Sequence, residues 1–261
     1  MERDNNTIPT RPEFSRTAML LGTEAVEHLD KAHVAVFGIG GVGSFAAEAL
    51  ARAGIGRMTI VDADIVDVTN INRQLIALQS TVGRSKVQVM AERIADIRPD
   101  LKVTVLQIFF DDHNADTFDF RSYDYVVDAI DTGPSKIALI CHAKAAGVPV
   151  ISSMGAGNKL DPTRFEVADI ADTSVCPLAR IVRRELKKRG VQGVKTVYSR
   201  EEPILRASEM PCPTVEADFT DTSVRLPRRA PGSVSFVPSA VGLTIASVVV
   251  RDIITMTDEK N

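Results

Sequence analysis

The chain has 261 residues, of which 44% are hydrophobic and 25% are charged, and its formal net charge is −3. This composition is typical of a globular protein with a sizeable core. The weakly negative charge excludes a general attraction to DNA or to anionic membranes, so any basic surface must be local. Three widely spaced cysteines exclude a paired-cysteine zinc site and favour a reducing, cytoplasmic compartment: Cys141, Cys176 and Cys212.

Short apolar strands alternate with helices over residues 1–153. In chain order, the predicted elements are a helix at 16–31, a strand at 33–38, a helix from near 41 to 53, a strand at 57–62, a helix at 85–97, strands at 102–109 and 124–130, a helix at 134–147 and a strand at 148–153. This alternation predicts an α/β fold with a Rossmann-like, doubly wound, mostly parallel sheet.

The pattern changes over residues 154–261, which we expect to extend the same single domain. The predicted elements are a strand at 164–170, a helix at 176–190, strands at 194–199 and 232–237, and an apolar helix at 236–250. The apolar helix is short for a membrane span, so we expect a buried helix, with membrane contact as a minor alternative. The proline-containing stretch at 207–231 is predicted to be a mobile crossover loop.

A glycine-rich turn between the first strand and its helix indicates a nucleotide site. Gly38, Gly40 and Gly43 give the spacing G-x-G-x-x-G, and Asp62 ends the next strand. Glycines permit close approach of phosphates, a helix start attracts anions, and the aspartate is placed to bind ribose hydroxyls. A turn that needs glycine only for its backbone is the alternative interpretation.

Polar side chains near this turn suit the phosphates of ATP better than a nicotinamide. Cations offset charge on a phosphate under attack, and a carboxylate can hold magnesium. The candidates are Asp64, Asn70, Arg73, Gln74, Lys86, Asp131, Lys136 and Arg16. Each has a structural alternative: Lys86 could be a solvated lysine, Arg73 could pair with Asp62 or Asp67, and Asp131 could cap a helix.

Several motifs resemble the adenylating superfamily that includes ubiquitin-activating enzymes and sulfur-carrier adenylyltransferases. They are "GIGGVGS", "VDADIVDVTNINRQ", "VGRSKVQVM" and "VVDAID". Within it, the chain is most similar to tRNA threonylcarbamoyladenosine dehydratases, through "FSRTAMLLG", "ARAGIGRMTIVDAD", "MAERIADIRPDLKV", "DPTRFEVADI" and "PGSVSFVPSAVGL". This second resemblance extends from Phe14 to about Ile254.

The resemblance implies roles for individual residues. Gly38, Gly40, Gly41 and Gly43 would cradle the phosphates of ATP, and Asp62 and Asp64 would belong to the nucleotide site. Asn70, Arg73 and Lys86 would contact the triphosphate, Asp131 would hold Mg²⁺ near the α-phosphate, and Arg16 would reach the partner's ATP site in a homodimer. The catalytic set is thus Arg73, Lys86, Asp131 and Arg16.

The implied reaction is an ATP-dependent, ligase-type adenylation of a carboxylate that ends in cyclising dehydration of threonylcarbamoyladenosine in tRNA. Activation of a sulfur-carrier protein's C-terminus, with a sulfur-transfer protein as partner, is the alternative on the same site. A NAD-dependent oxidoreductase and a non-catalytic nucleotide sensor are further alternatives. Cys176 and Cys212 fall in the region where ubiquitin-type activators have a catalytic cysteine, but a structural role is favoured for both.

Positive charge is concentrated in residues 177–206, which contain nine basic and three acidic side chains. In the predicted helix, Leu178, Ile181, Val182 and Leu186 would face inward and most basic residues outward. Such a face can follow the phosphates of tRNA, and a merely solvated helix face is an equally good interpretation.

Overall fold

The computed structural model describes residues 11–204 and 231–258, which are built around one seven-stranded sheet. Its strand order is β3-β2-β1-β4-β5-β7-β6, and all neighbours are parallel except β6, which runs antiparallel to β7. The predicted α/β fold with a mostly parallel sheet is confirmed. In chain order, the strands are β1 (His33–Phe37), β2 (Arg57–Val61), β3 (Lys102–Leu106), β4 (Tyr125–Asp128), β5 (Val150–Ser153), β6 (Phe165–Asp169) and β7 (Lys195–Ser199).

Helices lie on both faces of the sheet. The described residues contain α1 (Ser15–Leu21), α2 (Thr23–Lys31), α3 (Gly43–Ala53), α4 (Lys86–Ile97), α5 (Gly133–Ala145), α6 (Pro177–Lys188) and α7 (Phe236–Asp258). One core cluster joins the sheet to α2, α3, α4 and α7, and a second joins it to α5 and α6. Coverage of both faces explains why the strands are near-continuous apolar runs in the sequence.

The helix predicted at 16–31 is in fact two helices. Gly22 separates α1 from α2 with φ 91° and ψ 155°, a conformation outside the helical region. A residue without Cβ adopts this conformation at little cost, which explains the break. The second of them, α2, packs against the core through Leu29, which is fully buried.

The prediction of a strand at 232–237 is wrong. Its alternating sequence leads instead into α7, which begins at Phe236. The backbone of residues 232–233 is engaged by asparagine side chains: Gly232 N–H donates to Asn158 Oδ1 at 2.7 Å, and Asn72 Nδ2 donates to the Ser233 carbonyl at 2.9 Å. These hydrogen bonds occupy backbone groups that a strand would pair with a neighbouring strand.

The apolar C-terminal helix is longer than predicted, because α7 continues to Asp258 rather than ending near residue 250. By length and hydropathy alone, its Phe236–Met256 stretch could cross a membrane. Val241, Ile245 and Val249 are nevertheless fully buried in the core cluster shared with α3. The predicted burial of this helix is confirmed. The predicted loop at 207–231 lies outside the described residues, apart from Pro231.

Candidate active site

The glycine loop follows β1 at the carboxyl edge of the sheet. Gly38 has φ 89°, and a Cβ there would lie 2.6 Å from the Ala129 carbonyl oxygen. A Cβ on Gly43 would overlap the carbonyl oxygen of Gly38. Close packing of the loop, β4 and α3 therefore excludes larger residues at both positions. α3 begins at Gly43, slightly later than the predicted start near Gly41, and no side chain caps it.

Asp62 lies directly after β2 and binds the same loop. Its Oδ2 accepts a hydrogen bond from Ile39 N–H at 2.6 Å, and its Oδ1 accepts one from Asp64 N–H at 2.8 Å. Burial raises the pKa of Asp62, while the nearby Lys86 ammonium acts in the opposite direction. The carboxylate is thereby fixed beside the backbone where a nucleotide would pass.

Lys86 is not a solvated lysine. It is the first residue of α4, and its side chain is only 7% exposed. Its Nζ lies 2.6 Å from Oδ2 of Asp64, whose own side chain is 69% exposed. The site thus holds a buried cation whose carboxylate partner faces the solvent.

The Asn70 side chain forms a local hydrogen bond at a short 3-10 turn (Val68–Asn70). Its Oδ1 accepts from Asp67 N–H at 3.1 Å, and Asp67 Oδ1 accepts from Thr69 N–H at 2.8 Å. This reciprocal capping holds the segment that leads to Arg73. Asn70 is itself buried.

Arg73 forms neither of the ion pairs considered from the sequence. Its Nη1 donates to the Thr69 carbonyl and to Asn72 Oδ1, both at 2.9 Å. The adjacent Gln74 is buried, and within the described ranges its Oε1 has no hydrogen-bond partner. A Cβ on Gly40 would lie 3.7 Å from Gln74 Nε2, so the Gln74 side chain borders the glycine loop.

Asp131 is exposed and follows β4 at the same edge of the sheet. Thr132 occupies the N-cap position of α5 without a side-chain capping hydrogen bond, so the capping role considered for Asp131 is not realised. Over residues 11–204 and 231–258, no group of three or more acidic, histidine or cysteine side chains could hold a metal. A single carboxylate beside a phosphate site suits Mg²⁺, which commonly binds through one or two carboxylates and substrate phosphates.

A buried charged cluster lies behind Asp131, and the sequence revealed only part of it. Lys136 was a candidate, but its partners Asp128 and Ser152 were not expected to be functional. Lys136 Nζ lies 2.8 Å from Asp128 Oδ2, which also accepts from Ser152 Oγ at 2.5 Å. The available signal was an aspartate ending an otherwise apolar strand, eight residues before a lysine.

Arg16 is not near the glycine loop of its own chain. It is exposed on α1, two residues after Phe14, which packs against Gly54 just beyond the C-terminal end of α3. The glycine loop lies at the other end of α3, an 11-residue helix that is about 16 Å long. Met19 and Leu20, on the same helix, are 85% and 84% exposed.

Cys176 gains no catalytic setting. Cys176 is buried at the start of α6, where its Sγ would lie 3.5 Å from a Cβ on Gly155. Cys212 lies outside the described residues. The inner face of α6 is as predicted: Val182 and Leu186 are buried, and Leu178 and Ile181 are half-buried.

Comparisons with known proteins identify the family and the fold. A model described as the ThiF family matches residues 14–261. The chain is 46% identical to the tRNA threonylcarbamoyladenosine dehydratase of Bacillus subtilis (strain 168), over 93% of this chain and 94% of that protein. Crystal structures of the E. coli tRNA N6-threonylcarbamoyladenosine dehydratase with AMP and with ATP have a TM-score of 0.84. Their identities are 36% and 35%, and the matches cover 97% and 98% of this chain and 99% and 100% of theirs. With its glycine loop, buried lysine and parallel sheet, the chain therefore belongs to the ThiF family.

Proposed function

We propose that this protein catalyses the ATP-dependent cyclising dehydration of threonylcarbamoyladenosine in tRNA. The observation that carries the proposal is a buried lysine beside a glycine loop, in a chain similar over nearly its whole length to a dehydratase of that name. We further propose that residues 1–261 form a single adenylating domain and that the protein works in the cytoplasm.

The proposed reaction has two steps. A carboxylate oxygen of the modified nucleoside attacks the α-phosphorus of ATP, and the bond to the bridging oxygen of pyrophosphate breaks. The carbamoyl group of the same nucleoside then attacks the activated acyl carbon, the bond to AMP breaks, and a carbamoyl proton passes to solvent. The oxygen lost from the nucleoside leaves within AMP, so the nucleoside loses the elements of one water.

Charge neutralisation at the phosphates is the protein's main contribution to this scheme. Lys86 and Arg73 would contact the triphosphate together with Asn70, where their charges offset the charge that builds on the α-phosphate. Lys86 already lies 2.6 Å from the exposed carboxylate of Asp64. A phosphate oxygen could replace that carboxylate without leaving the buried ammonium unpaired.

The remaining site residues hold the nucleotide in place. Backbone N–H groups of the loop at residues 38–43 would bind phosphate oxygens, and Asp62 would bind the ribose. Asp131 would hold a magnesium ion, which supplies further neutralisation of phosphate charge when bound. Positioning of the substrate carboxylate against the α-phosphorus would supply most of the remaining rate enhancement.

No protein nucleophile is needed, which agrees with the burial of Cys176 against Gly155. We also propose a homodimer in which Arg16 enters the partner's ATP site. Support comes from the distance between α1 and the chain's own glycine loop, and from the exposure of Met19 and Leu20 beside Arg16. Apolar side chains this exposed are typical of an interface.

The experiment is mass spectrometry of nucleosides from threonylcarbamoyl-modified tRNA after incubation with the protein, ATP and magnesium. We expect the modified adenosine to lose the mass of one water, together with release of AMP and pyrophosphate. ATP–pyrophosphate exchange that requires a small sulfur-carrier protein and ignores tRNA would instead support the alternative. Nucleotide binding that favours NAD over ATP would reject both.

A further inference from the structure

Helix α6 carries a row of exposed basic side chains on the face opposite its buried side. Arg180, Arg184, Lys187 and Lys188, here called the α6 ridge, are all exposed. At 3.6 residues per turn they fall within about 100° of the helix circumference. Ala179, Val182 and Leu186 are buried on the other side. The basic residues are thus segregated by the fold onto one surface.

The α6 ridge begins at the edge of the sheet that holds the proposed active site. Gly155 follows β5 at that edge, and a Cβ there would lie 3.5 Å from Cys176 Sγ and 3.9 Å from Leu178 Cβ, at the start of α6. The other end of α6 leads into β7, which runs parallel to β5 from the opposite edge. The α6 ridge therefore extends for about 12 Å away from the catalytic edge.

Positive charge on the α6 ridge is only partly neutralised. Glu185 contacts Lys188 at 2.8 Å and Arg184 at 3.4 Å, and it also contacts Arg189. Hydrogen bonds from Lys188 and Arg189 lower the pKa of Glu185 to about 2, so it is ionised at neutral pH. One carboxylate thus faces several cations, and a net positive surface remains. Arg183 is not part of the α6 ridge, because its side chain is held against the carbonyl and hydroxyl of Thr173.

We propose that the α6 ridge binds the sugar-phosphate backbone of the tRNA while the modified nucleoside occupies the ATP edge. This proposal rests on the proposed function and names the surface that holds its substrate. A row of cations without aromatic side chains suits phosphates rather than bases. The ridge therefore contributes affinity and orientation, and recognition of the modified base lies elsewhere.

The first test measures tRNA binding over a range of salt concentrations. The double variant Arg180→Ala, Arg184→Ala should bind tRNA about 10-fold or more weakly, and the slope of log affinity against log salt should fall by about 2. Because phosphates carry no sequence information, modified and unmodified tRNA should lose affinity equally. ATP affinity should stay at the wild-type value, because the proposed ATP site lies outside the α6 ridge.

Two controls make the result specific. Arg57→Ala, Lys102→Ala removes the same charge from paired exposed residues at the amino edge of the sheet and should leave tRNA affinity unchanged. Glu185→Gln removes the neutralising carboxylate and should strengthen tRNA binding, with a steeper salt slope.

Equal losses in the ridge and amino-edge double variants would overturn the proposal, as would an unchanged salt slope in the ridge variant. Loss of binding to phosphatidylserine vesicles with tRNA binding intact would assign the surface to membranes instead. Failure of the proposed function gives a different result: the wild-type protein would bind tRNA through the α6 ridge without dehydrating the nucleoside.

Discussion

The ammonium of Lys136 lies 2.8 Å from Oδ2 of Asp128, and both side chains are completely excluded from solvent. Removing two charges from water is costly, so a pair of this kind is weak evidence of stabilisation by itself. The pair connects the end of β4 to the first turns of α5. Ser152, near the end of β5, donates a hydrogen bond to the same carboxylate. Asp128 Oδ1 also accepts from Ile130 N–H at 3.1 Å, which fixes the backbone that carries Asp131.

Asp128→Asn should therefore impair catalysis as well as stability. The variant leaves Lys136 facing an amide, and we expect the free energy of unfolding to fall by about 3 kcal/mol. Because the Asp131 backbone would shift, turnover of the folded fraction should fall by about 10- to 100-fold, with a higher magnesium requirement. Pyrophosphate release measured at several magnesium concentrations, well below each variant's Tm, checks this.

Asp252→Asn is the matched control. Asp252 accepts from Tyr125 Oη at 2.7 Å and pairs with Lys195 at 2.6 Å. These partners lie at the other end of the sheet, since Lys195 begins β7 and Tyr125 begins β4. The control should lose stability and keep normal turnover. Wild-type turnover and magnesium dependence in Asp128→Asn would show that the buried pair has no positioning role.

We expect a glycine-to-alanine substitution to have different effects at two positions of the glycine loop, Gly43 and Gly40. Gly43→Ala forces a methyl group onto the Gly38 carbonyl and should cost about 1–3 kcal/mol of stability or more. Among the described residues, the atom nearest to a Cβ added at Gly40 is Gln74 Nε2 at 3.7 Å, so the unfolding midpoint of Gly40→Ala should stay near the wild-type value. ATP affinity measured by calorimetry should nevertheless fall, because the methyl group occupies the phosphate approach. Unchanged ATP binding in Gly40→Ala would place the phosphates elsewhere.

Most of the sheet could be predicted from the sequence because buried strands need continuous apolar runs. "HVAVF" and "YVVD" are near-complete examples, and both form strands close to their predicted bounds. The strand predicted at 232–237 failed for a non-local reason. Its backbone pairs with Asn158 and Asn72, residues 74 and 161 positions away, and pairings at such separations leave no local signal.

The site could be predicted in part for a similar reason. The glycine spacing and the positions of Asp62 and Lys86 are local features of strand–loop–helix units, so sequence reasoning found them. Whether a lysine is solvated or buried depends on packing against residues that are distant in the sequence, so the sequence left both interpretations of Lys86 open. In the structure its side chain is 7% exposed. The role of Asp128 could not be predicted, because it depends on contacts with Lys136 and Ser152 that only the fold brings about.

Lys86→Ala and Arg73→Ala should each lower the rate of pyrophosphate release by about 10²–10³-fold, because each removes a cation from the phosphate under attack. Arg84→Ala is a control for charge loss, since Arg84 is an exposed partner of Glu92 two residues from Lys86. It should keep wild-type turnover. Circular dichroism should show all three folded, and normal pyrophosphate release by folded Lys86→Ala would refute its assignment.

His33 should make stability depend on pH without affecting catalysis. Its Nδ1 donates to the Ser122 carbonyl at 3.0 Å, so its Nε2 accepts from the Thr59 hydroxyl at 2.9 Å. Burial lowers the pKa of His33 below its usual 6.5, and Arg57 acts in the same direction. As pH falls through 6.5, the unfolded chain takes up a proton before the folded one, and stability is lost. Denaturant unfolding should show this loss between pH 7.5 and the lowered pKa, and a smaller loss in His33→Gln. Parallel curves for the two proteins would contradict the prediction.

Mixing two inactive variants tests the proposed donation of Arg16 across a homodimer. Arg16→Ala keeps its own Lys86, and Lys86→Ala keeps its own Arg16, so each homodimer has two defective sites. A mixed dimer combines an intact pocket from the first chain with an intact Arg16 from the second. After random exchange of subunits in a 1:1 mixture, half the dimers are mixed and each has one complete site. Turnover should therefore recover to about one quarter of the wild-type value. Verified mixed dimers with no recovered turnover would show that Arg16 acts within its own chain, because only donation across the interface restores a complete site from these two variants.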